Sequence, residues 1–156
     1  MINRVVFTLA TAMMLLFFLV SNFDRYFFTL HFLESLIYLV MLLLLFYGLE
    51  DWAYVMGVVA PLVWIALTLL SGTSLSALQA LGQAVSFQGV RSPVDLLGGT
   101  ALIVGIGLMA ACARAFRREV WGTKGALRTV VLASLIVGVY YAVLVYAMLR
   151  QASPGG

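Results

Sequence analysis

Charge is what this chain has least of. Of its 156 residues, 10% are charged and 64% hydrophobic, whereas a soluble domain carries about 25% charged residues. With a mean hydropathy of +1.11, that shortage points to an integral membrane protein. Cys112 is the only cysteine, which excludes an internal disulfide and a cysteine-cluster metal site. His31 is the only histidine, so any metal or haem site needing two histidines of one chain is excluded too. The apolar runs lack the period-two alternation of a transmembrane barrel. No polar stretch is long enough for a folded extramembrane domain, and G-x-S-x-G, H-E-x-x-H, Walker and dinucleotide fingerprints are missing. The spaced glycines of GGTALIVGIG lie inside an apolar run, where they serve packing. Catalysis by this chain alone is not expected.

What is present is a series of long apolar runs, and the fold class follows: all-α, a polytopic transmembrane helical bundle of five spans. The spans are expected at Val5–Phe23, Tyr26–Gly48, Trp52–Leu70, Val94–Ala115 and Thr129–Leu149, each long enough for a bilayer core of about 30 Å. The first has no A-x-A-like cleavage site after it and reads as a retained span. Residues 21–25 form a short turn, making the first two helices a hairpin. Gly48 suits a helix C′ position. Pro61 falls within the third span and removes the donor to the Gly57 carbonyl, so a kink is expected there. Ser92, Pro93 and Asp95 offer helix-start chemistry for the fourth.

Between the third and fourth spans, SLSALQALGQAVSF reads as a short amphipathic helix. Leu75, Leu78, Leu81 or Gly82, and Val85 fall on one side, with Ser76, Gln79, Gln83 and Ser86 toward the other. It is too short to span and lies at the interface, or re-enters with its glutamines facing a cavity. Residues 1–150 are expected to form a single domain, and 151–156 a disordered tail.

A net charge of +3 and a pI near 9.3 do not point to nucleic acid. Arg114, Arg117, Arg118, Lys124 and Arg128 all flank one connection, which the positive-inside rule makes cytoplasmic. Counting back one span at a time puts Arg4 inside, so the N-terminus is in and the C-terminus out. The expected location is the bacterial inner membrane, with the lipid bilayer and other membrane subunits as partners.

Two stripes of small residues favour close helix approach. Gly98, Ala101 and Gly105 lie near one face of the fourth span. Ser134, Gly138 and Ala142 recur every four residues on the fifth. Either stripe packs inside the chain or forms a seam between subunits.

The second span holds the sharpest chemical signal. His31, Glu34, Ser35 and Tyr38 stand at i, i+3, i+4 and i+7 and share one helix face. A carboxylate at membrane depth costs about 2.5–3.5 kcal/mol on insertion scales, so it faces protein or water. From Tyr26 to Glu34 is about 12 Å of helix, some third of the way across. Three readings fit. The groups satisfy one another or hydrogen-bond to neighbouring helices as polar glue. Alternatively Glu34 takes up a proton or cation and His31 tunes it, since burial disfavours the charged form of both. Or His31 is the single axial ligand of a haem or chlorophyll-type pigment, with Phe27, Phe28 and Phe32 around it. The sequence names no cofactor and places no catalytic residue. No motif assigns the chain to a family. The leading expectation is a non-catalytic subunit of a larger membrane assembly. The alternatives are a small proton- or ion-coupled transporter or channel using Glu34, and a pigment- or haem-binding subunit.

Overall fold

The computed structural model describes residues 3–24, 27–85 and 92–152, with backbone alone at 73–75, 81, 84, 85, 151 and 152. The described residues form six helices: α1 (Arg4–Phe23), α2 (Phe28–Phe46), α3 (Glu50–Leu70), α4 (Thr73–Val85), α5 (Pro93–Glu119) and α6 (Ala126–Ala152). All but α4 are long and apolar enough to cross a membrane. The chain is thus an all-helical bundle with five candidate spans.

The helix ends follow from local chemistry. Asn3 caps α1 by accepting from the Val6 N–H at 3.4 Å. After α2 the chain closes a Schellman turn. Leu49 N–H reaches the Leu44 carbonyl at 2.9 Å, and Gly48 takes φ +77°, where a side chain is strained. Ser92 caps α5, Pro93 and Asp95 sit in its first turn, and Arg117 and Arg118 in its last, complementing the helix dipole.

Several boundaries differ from the sequence reading because polar residues prolong helices at both ends. Ser21 and Asn22 are helical, each bonding its side chain back to the Phe18 carbonyl. Glu50 and Asp51 form the first turn of α3. Arg114, Arg117 and Arg118 lie on α5 itself, and the connection to α6 shrinks to 120–125, turned by Gly122 and Gly125 at positive φ. Helix α6 continues through Ala152, into the segment expected as tail; residues 153–156, together with Tyr26 and Ser86, lie outside the described residues. Through Pro61 α3 continues as one helix.

Four helices close a ring in which α1 packs on α2, α2 on α3, α3 on α5 and α5 back on α1. Met13, Phe17, Tyr38, Met41, Leu45, Tyr54, Leu108 and Cys112 fill its centre. Phe17 links three of the walls, stacking on Tyr38 at 5.6 Å and meeting Trp64 edge-on at 5.1 Å. The tightest approach is at Gly57, where a Cβ would fall 2.5 Å from Cys112 Sγ and 2.6 Å from Met41 Cε. Helices α4 and α6 stand outside the ring. Helix α4 lies along α5 and touches α3, while α6 leans on α3 with a small contact to α2.

Among the described side chains of α4, Ala77 and Ala80 are buried against the bundle, whereas Leu78, on the apolar side expected at the interface, is 54% exposed. Ala77 Cβ sits 3.8 Å from the point where Gly98 would carry a Cβ. Small residues seat this helix because they let its backbone approach α5. Ser76 Oγ then donates to Asp95 Oδ1 at 3.1 Å, tying α4 to the start of α5.

Candidate functional site

The polar group of α2 is built from the α1–α2 connection inward. Asp24 ends α1, its N–H bonded to the Val20 carbonyl. One carboxylate oxygen, Oδ1, accepts from the Phe27 N–H at 3.2 Å and so orients the group at the entry to α2. The other, Oδ2, lies 3.6 Å from His31 Nε2. On the far side of the imidazole, Nδ1 is 2.9 Å from Glu34 Oε2. Side-chain exposure falls along this line, from 20% at Asp24 and 19% at His31 to 7% at Glu34. Carboxylate, imidazole and carboxylate thus form a string leading from one end of the bundle toward its interior.

Beyond Glu34 lie phenols. Tyr38, one turn further along α2, is buried, and its hydroxyl approaches that of Tyr141, also buried, on α6. The two phenols are close enough to interact but fall short of regular hydrogen-bond geometry, and neither has another partner. The neighbouring Tyr140 donates its hydroxyl to the Leu33 carbonyl, joining α6 to α2. The Glu34 carboxylate is within electrostatic reach of Tyr38, Tyr140 and Tyr141. Two hydroxyls that approach each other can at best satisfy one donor, so the pair keeps spare hydrogen-bonding capacity near a buried carboxylate.

The four residues singled out on α2 therefore separate. His31, Glu34 and Tyr38 share one environment. Ser35 does not join it, because its hydroxyl donates to the Phe32 carbonyl of its own helix at 2.6 Å. His31 and Glu34 bond each other within α2, and Tyr140 supplies a hydrogen bond that crosses from α6. Asp24, Tyr140 and Tyr141 were missed by the sequence reading. Paired tyrosines inside an apolar run were a usable signal, since a buried phenol needs a partner.

A macrocycle does not fit His31. Nε2, the nitrogen an axial ligand would use, faces the Asp24 carboxylate, and Nδ1 is engaged by Glu34. Among the described residues no group of three or more His, Cys, Asp or Glu side chains is arranged to hold a metal ion.

The small-residue stripes also part company. On α5, Ala101 and Gly105 are buried, with Gly105 facing Met13 and Pro61 and Gly98 facing α4. On α6, Gly138 and Ala142 are exposed and Ser134 half-buried, and nothing lies within 4 Å of a Cβ built on Gly138. No neighbouring helix closes over Gly138 within this chain. Gly138 and Ala142 instead line an open apolar groove of about 380 Å³ against Val63 and Leu67 of α3.

A second polar cluster closes the opposite end. Tyr54, fully buried, donates its hydroxyl to Glu119 at 2.8 Å and lies 3.4 Å from Glu50. Thr129 donates to Asp51 at 3.2 Å. These bonds gather the start of α3, the end of α5 and the start of α6. They explain why three carboxylates stand beside the most basic part of the chain. Comparison with known protein families, with characterised proteins and with solved structures returns no match for this chain.

Proposed function

We propose that this chain is a non-catalytic, multi-pass subunit of a larger assembly in the bacterial inner membrane, with its N-terminus inside and its C-terminus outside. The observation that carries the reading is α6. It contributes little to the ring, yet presents Ser134, Gly138 and Ala142 beside a groove that a further membrane helix would fill. Close approach to small residues supplies van der Waals contact that lipid does not match. The orientation rests on charge. Arg4, Arg114, Arg117, Arg118, Lys124 and Arg128 lie at the ends of α1, α5 and α6 that the alternation of spans puts on one side, the side that retains basic residues in the cytoplasm.

Two measurements test this. A photo-crosslinker at Ala142 in the native membrane is expected to capture one companion protein of fixed stoichiometry; capture of lipid alone overturns the subunit reading. With Cys112 replaced by alanine, a cysteine at Ser71 is expected to label from outside and one at Gly122 only after permeabilisation. The reverse pattern inverts the topology.

A second reading, a small proton- or ion-coupled transporter or channel assembled from copies of this chain around Glu34, draws on the Asp24–His31–Glu34 string. Crosslinking from Ala142 to a second copy of the chain favours it over a hetero-assembly.

A further inference from the structure

We propose that Glu34 is a reversibly protonated site inside the bundle, loaded from the α1–α2 end through Asp24 and His31. The inference rests on neither reading of the assembly, because every group it uses belongs to this chain.

Three observations carry it. The first is order: the Asp24, His31 and Glu34 side chains follow one another at 3.6 and 2.9 Å as exposure falls from 20% to 7%. The second is orientation. Asp24 Oδ1 is held by the Phe27 N–H, which turns Oδ2 toward His31. Imidazole is the group best suited to pass a proton, having one nitrogen to receive it and another to release it. The third is the pair of phenols. The Tyr38 and Tyr141 hydroxyls are buried, approach each other short of regular hydrogen-bond geometry, and lie within electrostatic reach of Glu34. They extend the polar site past the carboxylate, which a merely structural His–Glu pair does not require.

The transfer balances on these residues. Before loading, Glu34 is a carboxylate and His31 a neutral imidazole donating from Nδ1–H. A proton from the Asp24 carboxylic acid, or from hydronium at its carboxylate, bonds to Nε2. The imidazolium then gives its Nδ1 proton to Glu34 Oε2. The donor's O–H and the Nδ1–H break, an Nε2–H and a carboxyl O–H form, and a neutral imidazole remains beside a neutral carboxylic acid, with the donor left as carboxylate or water. The charge of the pair rises by one, and discharge retraces the path. Among the described residues, the titratable groups around Glu34 are His31 and Tyr38 on α2 and Tyr140 and Tyr141 from α6, with Asp24 at the end of α1 on the far side of His31. Those of α3 (Glu50, Asp51 and Tyr54) gather at the opposite end.

Infrared difference spectroscopy on the full chain in lipid nanodiscs, stepped through pH, tests the proposal. A buried carboxylic-acid C=O band is expected on acidification, shifted by D₂O and by isotopically labelled glutamate, and absent in Glu34→Gln. His31→Gln is expected to keep that band but slow its hydrogen–deuterium exchange roughly a hundredfold, the lower end of what a positioned proton-transfer group contributes. Asp24→Asn, which retains an oxygen for the Phe27 cap, is expected to slow it less. A protein showing no titrating glutamic-acid band overturns the site. A band whose exchange ignores His31→Gln overturns the route. Should Glu34→Gln fail to fold, Glu34→Asp, which keeps a carboxyl group and moves the band, makes the assignment. If His31→Gln fails to fold, wild-type exchange as slow as that of the backbone amides of the α2 interior overturns the route.

Discussion

Helices α5 and α6 are built from similar material and are used in opposite ways. Both carry apolar runs with small residues at near-helical spacing. In α5 the stripe faces the centre of a closed ring, where Gly105 meets Met13 and Pro61. In α6 it faces away, and Gly138 has open space around it. The exposed side of α6 is otherwise large and apolar, with Leu127, Leu135 and Tyr146 all more than 60% exposed. The difference teaches that small residues permit close approach but do not choose the neighbour. That choice belongs to whichever surface is left when the other helices have paired.

The contrast can be broken by mutation, beginning where the ring is tightest. Gly57→Leu drives a side chain into Cys112 and Met41 between α3, α5 and α2. The loss is expected to reach or exceed the 1–3 kcal/mol typical of overpacking, seen as a large drop in thermal stability in detergent. Gly105→Leu, on the inward stripe, is expected to cost about 1–3 kcal/mol for the same reason. Its outward counterpart, Gly138→Leu, is expected to leave the isolated chain within about 0.5 kcal/mol of wild type, as surface substitutions do, while abolishing capture of a companion from Ala142. Equal destabilisation by the two leucine variants would erase the distinction between the stripes.

Smaller effects sharpen it. Tyr140→Phe removes the hydroxyl that joins α6 to the Leu33 carbonyl, and is expected to cost about 1 kcal/mol, with α6 amides exchanging faster than those of α5. Unchanged exchange in α6 would mean that its seat on α3 holds it unaided. Gly105→Ala is the mildest probe. Its Cβ would lie at ordinary contact distance, 3.5 Å from Met13 and Pro61. Gain of helix propensity, about 0.5–1 kcal/mol, is expected to make the variant at least as stable as wild type by thermal unfolding.

Much of the architecture was readable in advance because hydrophobic length is a property of sequence alone. Five runs long enough to cross a membrane, the turn at Gly48 and the capped start at Ser92–Pro93 all follow from local composition and backbone preference. The alignment of His31 with Glu34 did too, since i and i+3 must meet on a helix. The limits appeared wherever two distant segments had to meet. Nothing local distinguishes Gly57, pressed against Cys112, from Gly138, where an added Cβ would meet nothing within 4 Å. Nor did the pattern of α4 show that Ala77 and Ala80 would seat it, because that depended on how closely α5 allows a backbone to come.

The candidate site divides along the same line. By itself the sequence determined that a carboxylate and an imidazole would face each other on α2, because helical periodicity leaves them no alternative. Only the tertiary structure decided that Asp24 stands at the outer nitrogen of that imidazole, that Ser35 turns back to its own helix, and that Tyr38 and Tyr141 bring their hydroxyls together within electrostatic reach of Glu34. Those positions depend on how α1, α2 and α6 come together, and pairing between helices is a global minimum of packing that no single segment encodes.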